Sequence, residues 1–168
     1  NGTAGIQLGE MYGLVDSNGD GIVQDSELRD ERIAYIRRVG GYNEVARALT
    51  IDKDGNIWVG MYNTARFYKV DPATGNTIGG PWGITGNPYG AVVDSQNRLF
   101  TAALSGQTQT RFHVSNPASQ NTYYVQMGYS LAIGRPNGVE TIILAHYSGR
   151  SFQRLDPSTL ATDLPVAS

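Results

Sequence analysis

The feature that most constrains this chain is a stretch that recurs. Residues 47–75, RALTIDKDGNIWVGMYNTARFYKVDPATG, read as short strands joined by tight turns. Ala48-Leu49-Thr50-Ile51-Asp52 is a short apolar strand, and Ile57-Trp58-Val59-Gly60 is a second. Between them Asp54-Gly55-Asn56 is a hairpin turn, because Gly and Asn tolerate positive φ. Arg66-Phe67-Tyr68-Lys69-Val70 alternates as a third strand, Asp71-Pro72-Ala73-Thr74-Gly75 turns the chain again, and a fourth strand is expected near residues 76–78. A shift of 85 residues (147 − 62) lays Ile57, Tyr62, Phe67, Asp71, Pro72 and Thr74 on Ile142, Tyr147, Phe152, Asp156, Pro157 and Thr159. Half that shift finds an intermediate copy. Val93-Asp94 through Phe100 repeats Ile51-Asp52 through Trp58 at a spacing of 42 residues (94 − 52), and Phe112-His113-Val114-Ser115 repeats the third strand.

Four strands in about forty residues is the size of one β-propeller blade. The expected fold is all-β: three whole four-stranded blades at roughly 45–80, 87–125 and 128–164, forming a single domain, or part of one, over residues 1–168. Residues 81–86 and Gln126-Met127 read as connectors. Residues 1–44 make only a partial blade, with 11–16 as the end of a third strand and 32–39 as the fourth. Asp16 then takes the turn position of Asp71, Ser115 and Asp156. The separations of 55, 44 and 41 residues (71 − 16, 115 − 71, 156 − 115) leave roughly a dozen extra residues in the first turn.

Those extra residues, DSNGDGIVQDSE at 16–27, match the EF-hand calcium loop. Asp16, Asn18 and Asp20 stand at its first, third and fifth positions, where alternate side chains converge on one centre. Gly21 permits the sharp turn, Ile22 offers its backbone carbonyl, Gln24 ligates directly or through water, and Glu27 is the closing bidentate carboxylate. Ca2+ is a hard ion that takes six to eight oxygens, which this spacing supplies. The flanks depart from an ordinary EF-hand: 9–15 is interrupted by glycine and only 26–31 has helical character. The loop therefore resembles those of dockerins and secreted repeat proteins. A single site of this kind suits a structural ion more than a sensor, in an extracellular or periplasmic setting where calcium is plentiful.

Composition narrows the partners. A net charge of −2 and a pI near 5.6 give no field for nucleic acid or an anionic membrane. The longest aliphatic run, Ile142-Ile143-Leu144-Ala145, is too short for a membrane span. With no cysteine there is no disulfide, thiolate zinc site or thiol catalysis. The first residue is Asn1 rather than Met, which is read as a processed or excised protein, and Asn1-Gly2-Thr3 fits the N-glycosylation pattern.

The series Asp52, Gly55, Asn56, Ile57, Trp58, Val59 and Gly60, followed by Val70-Asp71-Pro72-Ala73-Thr74-Gly75, resembles the blades of streptogramin-lyase-like and NHL-like propellers over residues 46–164. The resemblance implies a propeller fold. It also implies two functional alternatives, since such families include lyases and lactonase-like hydrolases as well as binding modules. Streptogramin lyases rely on His and Glu near the propeller axis, so the residues to examine are His113, placed with Lys69 and Arg154, and His146, aligned with Met61 and six residues after Glu140 (146 − 140). Asp52 and Asp94 recur, which points to hairpin structure; Ser105-Gly106 and Ser148-Gly149 read as turns, and Trp58 as core. Three and a half blades are fewer than a closed propeller needs, and an open arc exposes the faces between blades. The expectation is a secreted calcium-binding repeat module with a structural or interaction role, completed by self-association or by the rest of a larger propeller. The alternative is an axial lyase or hydrolase.

Overall fold

The computed structural model describes residues 37–104, 106–125, 127–148 and 151–162, together with the backbone of Ile6–Gln7 and Ile22–Val23. The chain divides into two units, Asn1–Arg38 and Val39–Ser168. In the first, strand β1 (Ile6–Gln7) pairs antiparallel with β2 (Ile22–Val23). Arg37, Arg38 and Val39 carry no strand, contrary to the fourth strand expected over 32–39. The rest of that expected strand, and the calcium loop apart from Ile22–Val23, lie outside the described residues.

The second unit is a series of antiparallel sheets built as the repeat predicts. β3 (Ala46–Ile51), β4 (Ile57–Met61), β5 (Arg66–Val70) and β6 (Thr77–Gly83) form the first. β7 (Pro88–Val93), β8 (Arg98–Ala103), β9 (Thr108–His113) and β10 (Gln120–Tyr124) form the second. β11 (Gly128–Gly134), β12 (Thr141–His146) and β13 (Phe152–Leu155) form the third, and an isolated bridge from Leu155 to Thr162 begins the place of its fourth strand. Every sheet is a meander, each strand pairing with the next in sequence. β3 lies against β7, and β7 against β11, so the first strand of each sheet lines a common axis.

Side chains alternate across a strand, so each sheet has two faces. The forward face of the first sheet, Ala48, Trp58 and Phe67, packs on the rear face of the second, Leu99 and Phe112, with Ala91 and Val93 at its margin. The forward face of the second, Phe100, Ala102 and Tyr123, packs on Ile142, Leu144 and Leu155 of the third. The core is therefore divided between sheets. Burying each of these large side chains contributes about 1.5–3 kcal/mol. Gly60 is needed at the first interface, because a Cβ there would come within 2.7 Å of the Phe67 ring and 2.8 Å of the Ala48 methyl.

β6 runs five residues past its expected end at Ile78 (83 − 78), into the stretch read as a connector. Trp82 is the reason: it pairs with Phe67, and its ring lies 5.2 Å from that of Trp58, sealing the outer edge of the first interface.

Candidate functional site

The turns at 52–56 and 94–98 are built by one carboxylate each. Asp52 Oδ1 accepts from the backbone N–H of Asp54 and Asn56 at 3.0 and 2.9 Å, and Asp94 Oδ1 accepts from Gln96 and Arg98 at 3.0 and 2.8 Å. Gly55 and Asn97 occupy the same left-handed position, with φ of 85° and 61°. The remaining oxygen differs between copies. Asp52 Oδ2 accepts the Trp58 indole N–H at 2.9 Å and faces Lys69 at 3.3 Å, whereas Asp94 Oδ2 pairs with Arg98 at 2.6 Å, since Phe100 offers no N–H. Burial pushes the Asp52 carboxyl up, but the Trp58 and Asn56 donors and Lys69 outweigh it and hold the carboxyl below the usual range. Both aspartates are thus fully occupied in turn structure.

These turns also tie neighbouring sheets together at one end of the axis. Lys53 donates its backbone N–H to Asn97 Oδ1 and its Nζ to the Ser95 carbonyl, at 3.0 and 2.9 Å. Ser95 donates its N–H and its hydroxyl to Glu140 Oε1, at 2.9 and 2.8 Å, and Glu140 Oε2 pairs with Arg135 at 2.8 Å. Glu140 lines a cleft of about 310 Å³ with Val139, Arg154 and Asp156.

His146 ends β12, at the other end of that strand, roughly 20 Å from Glu140 at strand spacing. The pair singled out from the sequence does not converge. His146 is buried, its Nδ1 lies 2.9 Å from the Ser151 hydroxyl, and its Nε2 finds no hydrogen-bond partner among the described residues.

His113 requires a correction. The register pairs Trp58 with Lys69, Phe100 with Arg111 and Ile143 with Arg154, so Arg111 stands where His113 was expected. His113 lies two residues on (113 − 111), at the turn position of Asp71 and Asp156, which the sequence reading had given to Ser115. It does their work: Nδ1 accepts the N–H of Ser115 at 3.2 Å, as Asp71 Oδ1 accepts that of Ala73 and Asp156 Oδ1 that of Ser158, both at 2.7 Å. The turn that follows is one residue longer than that of the first sheet.

At the opposite end of the axis a feature missed in the sequence appears. β3, β7 and β11 each carry a bulge at the same place, at Arg47, Tyr89 and Tyr129. A bulge re-aims a side chain. Arg47 donates to the Tyr89 hydroxyl at 2.6 Å and lies over the rings of Tyr62 and Tyr89, at 5.3 and 4.8 Å. Tyr62, Tyr89, Tyr129 and Tyr147 follow one another at centroid distances of 5.8, 4.7 and 5.7 Å. The contacts run edge-on, tilted and stacked in turn, and they make the row a staple across the sheets, with Tyr129 and Tyr147 still exposed. The 42-residue spacing from Arg47 to Tyr89 (89 − 47) was visible in the sequence, but the change from Arg to Tyr concealed it.

Among the described residues, one candidate surface is the forward face of the third sheet. Phe152 corresponds in register to Phe67 and Gln109, both 0% exposed under the following sheet, yet it is 44% exposed; Ile143 and Ala145 of the same face are half-buried. On the rear face of the first sheet, Leu49 and Ile51 are 65% and 60% exposed.

Of the predicted calcium ligands, Asp16, Asn18, Asp20, Gln24 and Glu27 lie outside the described residues, and Ile22 is placed only as backbone in β2. Among the described residues no cluster of three His, Asp or Glu side chains could hold a metal ion, and no helix is long and apolar enough to cross a membrane.

Sheets repeated around an axis, first strands innermost, define a β-propeller-repeat fold. Residues 41–63 match the family described as Two component regulator propeller. The fold is similar to that of Kuenenia stuttgartiensis hydrazine synthase, with a TM-score of 0.64 and 13% identity over 79% of this chain and 40% of that one. It is also similar to virginiamycin B lyase from Staphylococcus aureus, with a TM-score of 0.57 and 14% identity over 73% of this chain and 42% of that one. A streptogramin B lyase gives a TM-score of 0.61 and 14% identity over 77% of this chain and 44% of that one. At these identities the likeness is one of fold. The chain spans less than half the length of each of these structures. No curated protein matches its sequence.

Proposed function

We propose that this chain is a secreted, calcium-binding β-propeller-type repeat module with a structural or protein-interaction role, its array of sheets completed by a second copy or by further chain. The observation that carries this reading is the forward face of the third sheet, open at positions that are sealed twice earlier in the same chain. A sheet face of this kind is apolar because its ordinary partner is another blade. The spacing of Asp16, Asn18, Asp20, Gln24 and Glu27 supports one calcium ion with a structural role. A modest affinity suffices where calcium is abundant, which supports the extracellular or periplasmic setting.

Sedimentation with and without a calcium chelator, paired with thermal melts, tests the proposal. A species heavier than the 18.2 kDa chain, and a melting temperature that falls on chelation, are expected. Asp16→Ala with Glu27→Ala should remove the chelator sensitivity. A stable monomer whose melt ignores chelator contradicts the reading.

A further inference from the structure

The chain has no cysteine, so no disulfide can tie one sheet to the next. Between the second and third sheets, the axial end holds another pair of oxidisable side chains. Tyr89 of β7 and Tyr129 of β11 stand at matching bulges, and their ring centroids lie 4.7 Å apart with 32° between the planes. The Tyr89 hydroxyl adjoins that of Tyr129 and is the foremost influence raising the Tyr129 phenol above its ordinary range. Oxygens in hydrogen-bonding reach are closer than the centroids, so the two rings converge toward their hydroxyl ends. The ortho carbons flanking each C–O bond are therefore brought together. Arg47 holds the arrangement, donating to the Tyr89 hydroxyl at 2.6 Å and lying over that ring at 4.8 Å.

The neighbouring pairs lack this geometry. Tyr62 meets Tyr89 edge-on, at 89° and 5.8 Å, with Arg47 lying over both rings. Tyr129 and Tyr147 are closer to parallel, at 29°, but their centroids are 5.7 Å apart. Exposure alone would choose other residues, since Tyr42 and Tyr124 are 80% and 63% exposed against 43% for Tyr129. What singles out Tyr89 and Tyr129 is their mutual approach, with Tyr129 open enough for an oxidant to reach.

We propose that Tyr89 and Tyr129 form a modification site, at which a haem peroxidase with hydrogen peroxide couples the two rings into a dityrosine staple between the second and third sheets. Each phenol gives up one electron and one proton, and the unpaired spin of each phenoxyl radical is shared with its ortho carbons. A carbon–carbon bond forms between one ortho carbon of each ring, and the ring hydrogens displaced there return to the oxygens, restoring both phenols. The chain loses two hydrogens in all, and the peroxide that accepts them becomes two waters. The bond closes a covalent loop of 40 residues (129 − 89), restricting the unfolded chain as a disulfide would. The site needs neither the calcium loop nor a second copy of the chain.

Treating the dilute full-length chain with a haem peroxidase and equimolar hydrogen peroxide tests this. The expected product is a monomer lighter by two hydrogens that shows dityrosine fluorescence, with tandem mass spectrometry of its digest placing the bond at Tyr89 and Tyr129. Its melting temperature should rise by roughly 5–10 °C. Tyr129→Phe keeps the ring and should abolish the product with an unchanged circular-dichroism spectrum, whereas Tyr147→Phe should leave it in place. Treatment in concentrated urea should lose the preference for this pair, because the fold creates it. A bond at Tyr129 and Tyr147, bonds at Tyr42 or Tyr124, or no intrachain bond at all would overturn the site. A linked chain that melts no later than the parent would overturn its role as a staple.

Discussion

The indole N–H of Trp58 donates to Asp52 Oδ2 at 2.9 Å, across the hairpin that Asp52 itself closes through its other oxygen. One buried carboxylate therefore fixes both the turn between β3 and β4 and the orientation of the ring at the centre of the first interface. Trp58 in turn lies 5.5 Å from Phe112 of the next sheet, so turn chemistry and sheet stacking are coupled through two residues.

Removing that carboxylate strands its donors. Asp52→Ala leaves the Trp58 indole and the Asn56 backbone N–H, among others, without their acceptor in a buried setting, and should cost about 1–3 kcal/mol in urea denaturation. Asp52→Asn keeps one carbonyl oxygen and should cost less. Equal losses for the two would contradict the assignment.

Gly60 is confined by packing. Gly60→Ala drives a methyl into the Phe67 ring and the Ala48 side chain, and should cost about 1–3 kcal/mol by the same measurement. The companion change Gly55→Ala meets no atom within 4 Å but must hold a φ of 85°, so its cost is that of the strained turn alone, about 1 kcal/mol.

His146 contributes less than its burial suggests, because Nε2 is sealed from solvent without a partner among the described residues. Met61 fills the corresponding position in the first sheet. His146→Met removes the orphaned nitrogen at similar volume but also takes away the Nδ1 partner of the Ser151 hydroxyl, so the two effects oppose and stability should stay within about 1 kcal/mol of the parent. A loss of more than about 1 kcal/mol would show that the imidazole is engaged elsewhere.

Acid should unfold the second unit through its carboxylates. Hydrogen bonds from Thr64 and Gly41 hold the Glu44 carboxyl below its ordinary range, and the backbone N–H groups of Thr159 and Ser158 do the same for Asp156. For Asp52 and Glu140, burial pushes upward but the donors prevail, so both are also lowered. A carboxyl with a depressed folded pKa gives stability that is complete above its unfolded value, near 4, and is lost as pH falls through the folded value. Melting temperatures should be level from pH 7 to about 5 and then fall steeply below about 4. Glu44→Gln should flatten part of that fall.

Much of the fold was legible because the repeat is carried by residues with a fixed physical task. Asp52 and Asp94 close hairpins, Gly55 and Asn97 take left-handed φ, and Trp58 and Phe100 fill interfaces, so the spacing survives where identity does not. The third strand of the second sheet was misread by two residues, because His113 performs a turn role that composition assigns to Asp. The extension of β6 to Gly83 was missed because Gly79-Gly80-Pro81 reads as a strand breaker, and only the packing of Trp82 reveals why the pairing continues. The pairing of Glu140 with Ser95 was likewise invisible, since it joins hairpins 45 residues apart.

The stacking of successive sheets, forward face on rear face, is tested most directly by nuclear Overhauser contacts in the isotope-labelled chain. The Ala102 methyl should show a contact with the α-protons of Gly128, and the Trp58 ring with that of Phe112, alongside the antiparallel pairings of β3 with β4, β7 with β8 and β11 with β12. Hairpin contacts without the two cross-sheet contacts would contradict the stacked arrangement.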